Sequence, residues 1–251
     1  MPKGGYASRW LRSQPECGQQ ARLRIVCFPP AGGGATSFEP LFHAAGPKVE
    51  CLTVELPGHT TRLREPPARD PDDLFERVTA AIAETVAADQ LPYVLLGQCM
   101  GAIVAYEVAA RLEERHATPP MHLVVAGSNP PQDEPIAVED PVAFLRVTGN
   151  PGELFEMPEL LDMTIGILHE DLTLLRAYTC ANRVLRTPIT VLYGDRDPYV
   201  DRPGQRGWKD LSSEEVSVEE LPGGHNVLDQ HYESLLRRLR ENPASGLGRE
   251  E

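Results

Sequence analysis

Residues 93–107 read YVLLGQCMGAIVAYE. An apolar run ending at Leu96 meets Gly97-Gln98-Cys99-Met100-Gly101, and a helical pattern starts at once. A strand that turns sharply into a helix leaves no room for side chains beside the turn. The two glycines meet that demand, and Cys99 then projects above the sheet. It also stands at a helix N-terminus, whose partial positive charge favours a thiolate. Taken alone, G-x-C-x-G also fits a small buried cysteine on a glycine-rich turn.

Outward from this turn, short apolar runs alternate with helical patterns. The runs are 23–28, 51–56, 92–96, 122–126, 189–193 and a weaker one at 215–221. They are rich in Val, Ile and Leu and bounded by Gly and Pro, as suits strands buried on both faces. Between two of them, Leu74, Val78, Ile82 and Val86 recur every four residues on one helix face. A second helix reads over 101–114. The alternation predicts an α/β fold with a mostly parallel central sheet flanked by helices. Residues 132–187 break the rhythm: acidic and Pro-rich at first, then helical, as in 158–177. They read as a helical lid over the carboxyl edge of the sheet, or as two more packing helices; periodicity does not separate the two. The expected organisation is a flexible N-terminus over 1–20, one domain over 21–240 and a flexible tail over 241–251.

Composition narrows the function. The chain has 251 residues, 41% of them hydrophobic, with 37 acidic against 24 basic side chains and a net charge of −13. That is enough apolar material for one domain with a real core. An acidic balance argues against nucleic-acid and anionic-lipid partners. No apolar run is long enough for a membrane span, and the first residues lack the apolar core of a signal peptide. A cytoplasmic protein with free thiols is therefore expected, since the five cysteines are scattered and odd in number.

Two further loops share the chemistry of Cys99. YGDRDPYV at 193–200 puts Asp195 and Asp197 where a strand ends, and LPGGHNVL at 221–228 puts His225 in a Gly-flanked loop. Each alone fits ordinary turn chemistry. Together, Cys99, Asp197 and His225 follow the nucleophile–acid–histidine order of α/β-hydrolases. His225 would take the Cys99 proton while a carboxylate holds the imidazole tautomer. Asp197 is preferred over Asp195, which directly follows Gly194 and suits a turn cap. The loop CFPPAGGGATSF at 27–38 follows the first strong strand. In such a fold this loop supplies one oxyanion donor and the residue after the nucleophile supplies the other, which points to the backbone N–H groups of Ala31 and Met100. A phosphate loop is the rival, but no Gly-Lys-Ser/Thr follows. His43, His59, His116, His122, His169 and His231 show no metal spacing, so no metal is expected. Arg237-Arg238-Leu239-Arg240 is a short basic cluster on the last helix.

With these residues in hand, the chain resembles the type II thioesterases of nonribosomal peptide and polyketide assembly lines over roughly 22–235. FPPAGGG, LPGHTTRLREPP at 56–67 and the PGGH loop look like family motifs, and 160–178, with Asp171 and Tyr178, looks like the lid helices. The resemblance implies the α/β-hydrolase fold with a lid insertion. It implies a substrate whose acyl group rides on a carrier protein's phosphopantetheine arm, so carrier domains are the partners and no cofactor of the enzyme's own is needed. A monomer is expected. The family's elbow usually reads G-H-S-M-G, and here it is G-Q-C-M-G. An acyl-Cys99 thioester stands about level in energy with the carrier thioester. Transfer to a second carrier thiol, or to an amine, therefore stands beside hydrolysis. A dienelactone-hydrolase-like cysteine enzyme and a non-catalytic carrier-docking protein complete the alternatives. Because carriers are acidic as well, docking calls for a local basic patch. Arg62 and Arg64 are the candidates, with the Arg237–Arg240 cluster as another.

Overall fold

The computed structural model describes residues 9–13, 20–148 and 152–241. A seven-stranded sheet runs through it in the order β1-β3-β2-β4-β5-β6-β7. The strands are β1 (Leu11–Ser13), β2 (Leu23–Phe28), β3 (Val49–Val54), β4 (Tyr93–Gln98), β5 (His122–Ala126), β6 (Ile189–Gly194) and β7 (Val216–Leu221). All neighbours pair in parallel except β1, which is antiparallel to β3. The six strands read from sequence are all present, shifted by two residues at most at either end. β2 and β4 are buried along their whole length, as continuous apolar runs require, whereas β7 at the edge is half-buried and its signal was accordingly weaker.

β1 is a departure from expectation. Residues 1–20 were set aside as a flexible terminus, yet Leu11–Ser13 pairs with Leu52–Val54 and Trp10 is buried. Three residues are too short to show a period, so pairing on an existing edge decides the structure here. The rest of that segment, and the tail from 242, lie outside the described residues.

Helices cover both faces. The sequence dictates α2 (Pro71–Asp89) in detail. Asp70 caps it by accepting from the Asp72 and Asp73 amides, Pro71 occupies the first turn, and Leu74, Val78, Ile82 and Val86 are buried. α3 (Met100–Glu114) is buried along nearly its whole length between the sheet and the outer helices. α1 (Glu39–Ala45) and α6 (Tyr232–Glu241) pack on the opposite face with their own apolar cluster. Residues 132–187 leave the sheet between β5 and β6. They contain α4 (Pro141–Val147) and α5 (Pro158–Ala177). Phe144, Leu172 and Leu175 line a recess that reaches Cys99, so these helices form a lid. Strand order reverses where β2 lies between β3 and β4, which places the crevice above the carboxyl ends of β2 and β4.

The turn from β4 into α3 fits only glycine. A Cβ on Gly101 would collide with the backbone carbonyl of Phe28 and lie 2.7 Å from the Pro29 oxygen, and a Cβ on Gly97 would strike the backbone of Gly101. We predict that Gly101→Ala lowers the unfolding free energy by about 3 kcal/mol in urea denaturation, because neither backbone can yield. A loss under about 1 kcal/mol would show that the crossing can relax.

Candidate active site

Cys99 sits between β4 and α3 with φ 53° and ψ −118°. A side-chain-bearing residue in this region is strained by about 1–3 kcal/mol. The surroundings hold it there. The Cys99 amide donates to the Ala126 carbonyl on β5 at 2.9 Å, and the Cys99 carbonyl accepts from Ala102 at 3.0 Å. Cys99 is buried apart from its exposure to two recesses.

The loops after β6 and β7 bring a carboxylate and an imidazole together. His225 Nδ1 donates to Asp197 Oδ2 at 2.9 Å, and both side chains are fully buried. The other Asp197 oxygen accepts the Tyr199 amide at 2.9 Å. Asp195 does not reach His225; its Oδ1 accepts the Gly223 amide at 2.8 Å, so it braces the loop that carries the histidine. Two aromatic rings pack edge-on against the imidazole, Phe144 at 5.8 Å and Tyr199 at 5.5 Å. Nδ1 is thus committed to the carboxylate. Nε2 is buried without a hydrogen-bond partner of good geometry, and the Cys99 thiol is the group it answers to. Burial alone would lower the His225 pKa. The charge and hydrogen bonding of Cys99, and then of Asp197, outweigh it and raise the pKa to about 10. The arrangement therefore favours the imidazolium form of His225.

Two recesses meet at Cys99 and Phe144. One is a cleft of about 330 Å³ with mixed polar and apolar walls, among them Ala31, Gly32, Gln98 and His225. The other is a narrow apolar slot of about 60 Å³ between Met100, Ile103, Leu172 and Tyr178. Of the residues read as oxyanion donors, Ala31 lines the cleft and Met100, next to Cys99 in sequence, lines the slot.

Some groups around the site carry no sequence signal. Asn226 Nδ2 donates to the Thr148 carbonyl, so Asn226 Oδ1 must face Gln98, whose Nε2 donates to it at 2.8 Å. Gln98 Oε1 is left buried without a partner. His59, grouped with the weak histidines, is buried with Nε2 3.0 Å from Asp171 Oδ2. Glu107, buried on α3, binds Arg111, Arg183 and the Tyr178 hydroxyl, so the end of α5 is tied to the core.

Arg62 requires a correction. Proposed as a carrier contact, it is buried instead. Its guanidinium donates to the Glu55 carbonyl at 2.8 Å and to both Glu65 oxygens, at 3.0 and 2.7 Å, and lies over the Trp10 ring. Buried among these contacts, the guanidinium is not placed to meet a partner at the surface. Arg64 is exposed. In the α6 cluster, Arg238 pairs with Glu219 and Arg240 donates to the carbonyls of Ala44 and Ala45, while Arg237 is exposed.

Residues 23–242 match the thioesterase domain family. The chain is 30% identical over 237 residues to the probable cadicidin biosynthesis thioesterase of Streptomyces griseus, covering 91% of this chain and 64% of that protein. It is 30% identical over 226 residues to the gramicidin S biosynthesis protein GrsT of Aneurinibacillus migulanus, covering 86% and 87%. Among solved structures, the type II thioesterase BorB from the borrelidin biosynthetic cluster superposes with a TM-score of 0.81 at 28% identity, over 94% of this chain and 98% of BorB. The RedJ thioesterase of the prodiginine pathway in Streptomyces coelicolor gives 0.75 at 31%, over 87% of each chain. Among the described residues, no helix is long and apolar enough to cross a membrane.

The raised pKa of His225 has a stability consequence. Its contribution is complete below the ordinary value of 6.5 and is lost as pH rises through about 10. Removing the Asp197 charge lowers the folded-state pKa and shrinks that contribution. Between pH 7 and 10 the melting temperature of the native protein should therefore fall by about 5 °C more than that of Asp197→Asn. Parallel melting curves across this range would show that His225 is not held protonated.

Proposed function

Since this chain belongs to the thioesterase domain family, we propose that it cleaves acyl or aminoacyl thioesters carried on phosphopantetheine arms of carrier domains in peptide or polyketide assembly. One arrangement carries this conclusion: a strained Cys99 beside an imidazole whose other nitrogen is bound to Asp197 at 2.9 Å.

The chemistry follows from the positions. The Cys99 sulfur, as thiolate, attacks the thioester carbonyl carbon. The oxygen gains the negative charge and is met by the N–H groups of Ala31 and Met100. As the tetrahedral centre collapses, the carbon–sulfur bond to the arm breaks, and His225 Nε2–H gives its proton to the departing thiolate. The acyl group is now a thioester of Cys99. His225, neutral again, takes a proton from water, whose oxygen attacks the same carbonyl. As this second tetrahedral centre collapses, the carbon–Sγ bond breaks, releasing the carboxylic acid and restoring the Cys99 thiolate beside the imidazolium. Asp197 stays ionised throughout and holds the ring tautomer. The wider cleft suits the arm, with its amides, and the apolar slot suits the acyl chain.

A second outcome of the same intermediate is favoured by the nucleophile itself. Thioester exchange onto another carrier thiol is close to thermoneutral from acyl-Cys99, and from an acyl-serine it would run uphill. Loading labelled acyl-carrier, adding enzyme and then a second empty carrier distinguishes the two. Label appearing as free acid supports hydrolysis, and label on the second carrier supports transfer. In either case Cys99→Ala should abolish turnover and the covalent adduct seen by intact-mass spectrometry. Full turnover by this variant would overturn the mechanism.

With a net charge of −13, the protein repels an acidic carrier at long range, so docking relies on local basic groups. Arg64, exposed at the rim of the 56–67 loop, meets that need and Arg62 does not. Arg64→Glu should raise KM for acyl-carrier about threefold to tenfold. KM for a small acyl thioester should not change, and an equal rise for both would remove Arg64 from the docking surface.

A further inference from the structure

The loop after β2 makes a tight turn, Gly33 N–H donating to the Pro30 carbonyl at 2.9 Å. Gly32 occupies its third position with φ +74°, the left-handed conformation of a type II turn. The middle peptide of such a turn, Ala31–Gly32, has no partner inside the turn. Here its N–H donates to Asp171 Oδ2 at 2.8 Å, across 139 residues of sequence. Asp171 lies on lid helix α5 and is buried. Leu168, one helical turn earlier on the same face, packs directly over Gly32, 3.3 Å from where a Cβ would stand. The lid thus touches the loop through both an apolar and a charged contact.

The same Asp171 oxygen meets His59 Nε2 at 3.0 Å, while His59 Nδ1 lies 3.1 Å from the Pro57 carbonyl. A carbonyl only accepts, so Nδ1 carries a hydrogen. Nε2 faces the Asp171 carboxyl group, a pairing that favours a second hydrogen on the ring. Burial opposes the charged ring, but the hydrogen bond and charge of Asp171 raise its pKa nonetheless. This pair, buried beneath the lid, pins Asp171 against the loop. Neither residue lines the cleft or the slot at Cys99, so neither is placed to touch the reacting atoms.

We propose that Asp171 is a positioning residue: by accepting the Gly32 N–H from the lid it anchors the whole Pro30–Gly33 turn against Cys99, and with it the adjoining Ala31 N–H that would meet the thioester oxygen, with His59 holding its carboxylate in place. Lid seating and oxyanion binding become one event, because the group that sets the loop arrives on the lid. This rests on the reading of Cys99 as nucleophile.

The test compares two reactions of Cys99 in the full-length protein. Cleavage of a small acyl thioester, an acyl-N-acetylcysteamine, needs the oxyanion donors. Alkylation by chloroacetamide forms no oxyanion and needs only the thiolate. Asp171→Ala should lower kcat for the thioester about 100-fold, as the loss of one oxyanion donor does. KM should stay within threefold and the alkylation rate within twofold. Asp171→Asn, whose amide oxygen can still accept from Gly32, should lose only about tenfold, and it serves if the alanine variant does not fold. His59→Gln keeps a neutral donor toward Asp171 and should lie between wild type and Asp171→Ala. A kcat unchanged in Asp171→Ala, or in Asp171→Asn where it alone folds, would overturn the proposal. So would thioester cleavage and alkylation falling together, which marks a structural role only. Turnover retained by Cys99→Ala would overturn the reading of the nucleophile and the proposal with it.

Discussion

The contact on which everything else depends is the crossing of two backbones, where the start of α3 lies against the end of β2. Gly101 meets the Phe28 carbonyl with no space for a methyl group between them. That approach aims the N-terminus of α3 at the crevice and forces Cys99 into a strained conformation that its neighbours must hold. It also sets the loop after β2 beside the sulfur. The placing of Cys99, of the Met100 amide after it and of the loop bearing Ala31 is a consequence of one tight crossing. Strain of this kind survives only where the surroundings over-determine it. Two fully buried strands and a helix buried along nearly its whole length supply that rigidity.

The lid is fastened differently. Beside the apolar packing of Leu168, Leu172 and Leu174, it is attached to the core through charged and polar contacts: Asp171 with His59 over the β2 loop, and Glu107 with Arg111, Arg183 and Tyr178 at the end of α5. Desolvation makes such pairs poor sources of net stability, but a broken one leaves an uncompensated charge and is costly. They accordingly specify one seating of the lid rather than a continuum. Between these two anchors the helix presents an apolar face to a narrow slot, while the other recess is wider, with polar and apolar walls in about equal share.

Much of the fold was legible in the sequence because its signals are local. Buried parallel strands must be apolar on both faces, and each announces itself over a few residues. The helix 71–89 declares its own cap, and the elbow its glycines. Even the choice of Asp197 over Asp195 could be made locally, since a carboxylate next to Gly194 suits the turn, and Asp195 does brace the Gly223 amide. The failures share a cause. Leu11–Ser13 is a strand only because an edge was waiting for it. Arg62 looked like a surface charge, but Glu65 and the ring of Trp10 draw it inward.

By itself, then, the sequence determined the strand–helix alternation, the elbow around Cys99, and the order in which cysteine, aspartate and histidine follow their strands. Each of these is written in neighbouring residues. Only the tertiary structure decided which groups share a charge or a proton. His59 and Asp171 meet across 112 residues, and His225 and Asp197 across 28. Such partners come from separate elements whose side chains converge only after the sheet has set the distances. No period or motif encodes that convergence. It is fixed by packing, and with it the upward shift of both histidine pKa values.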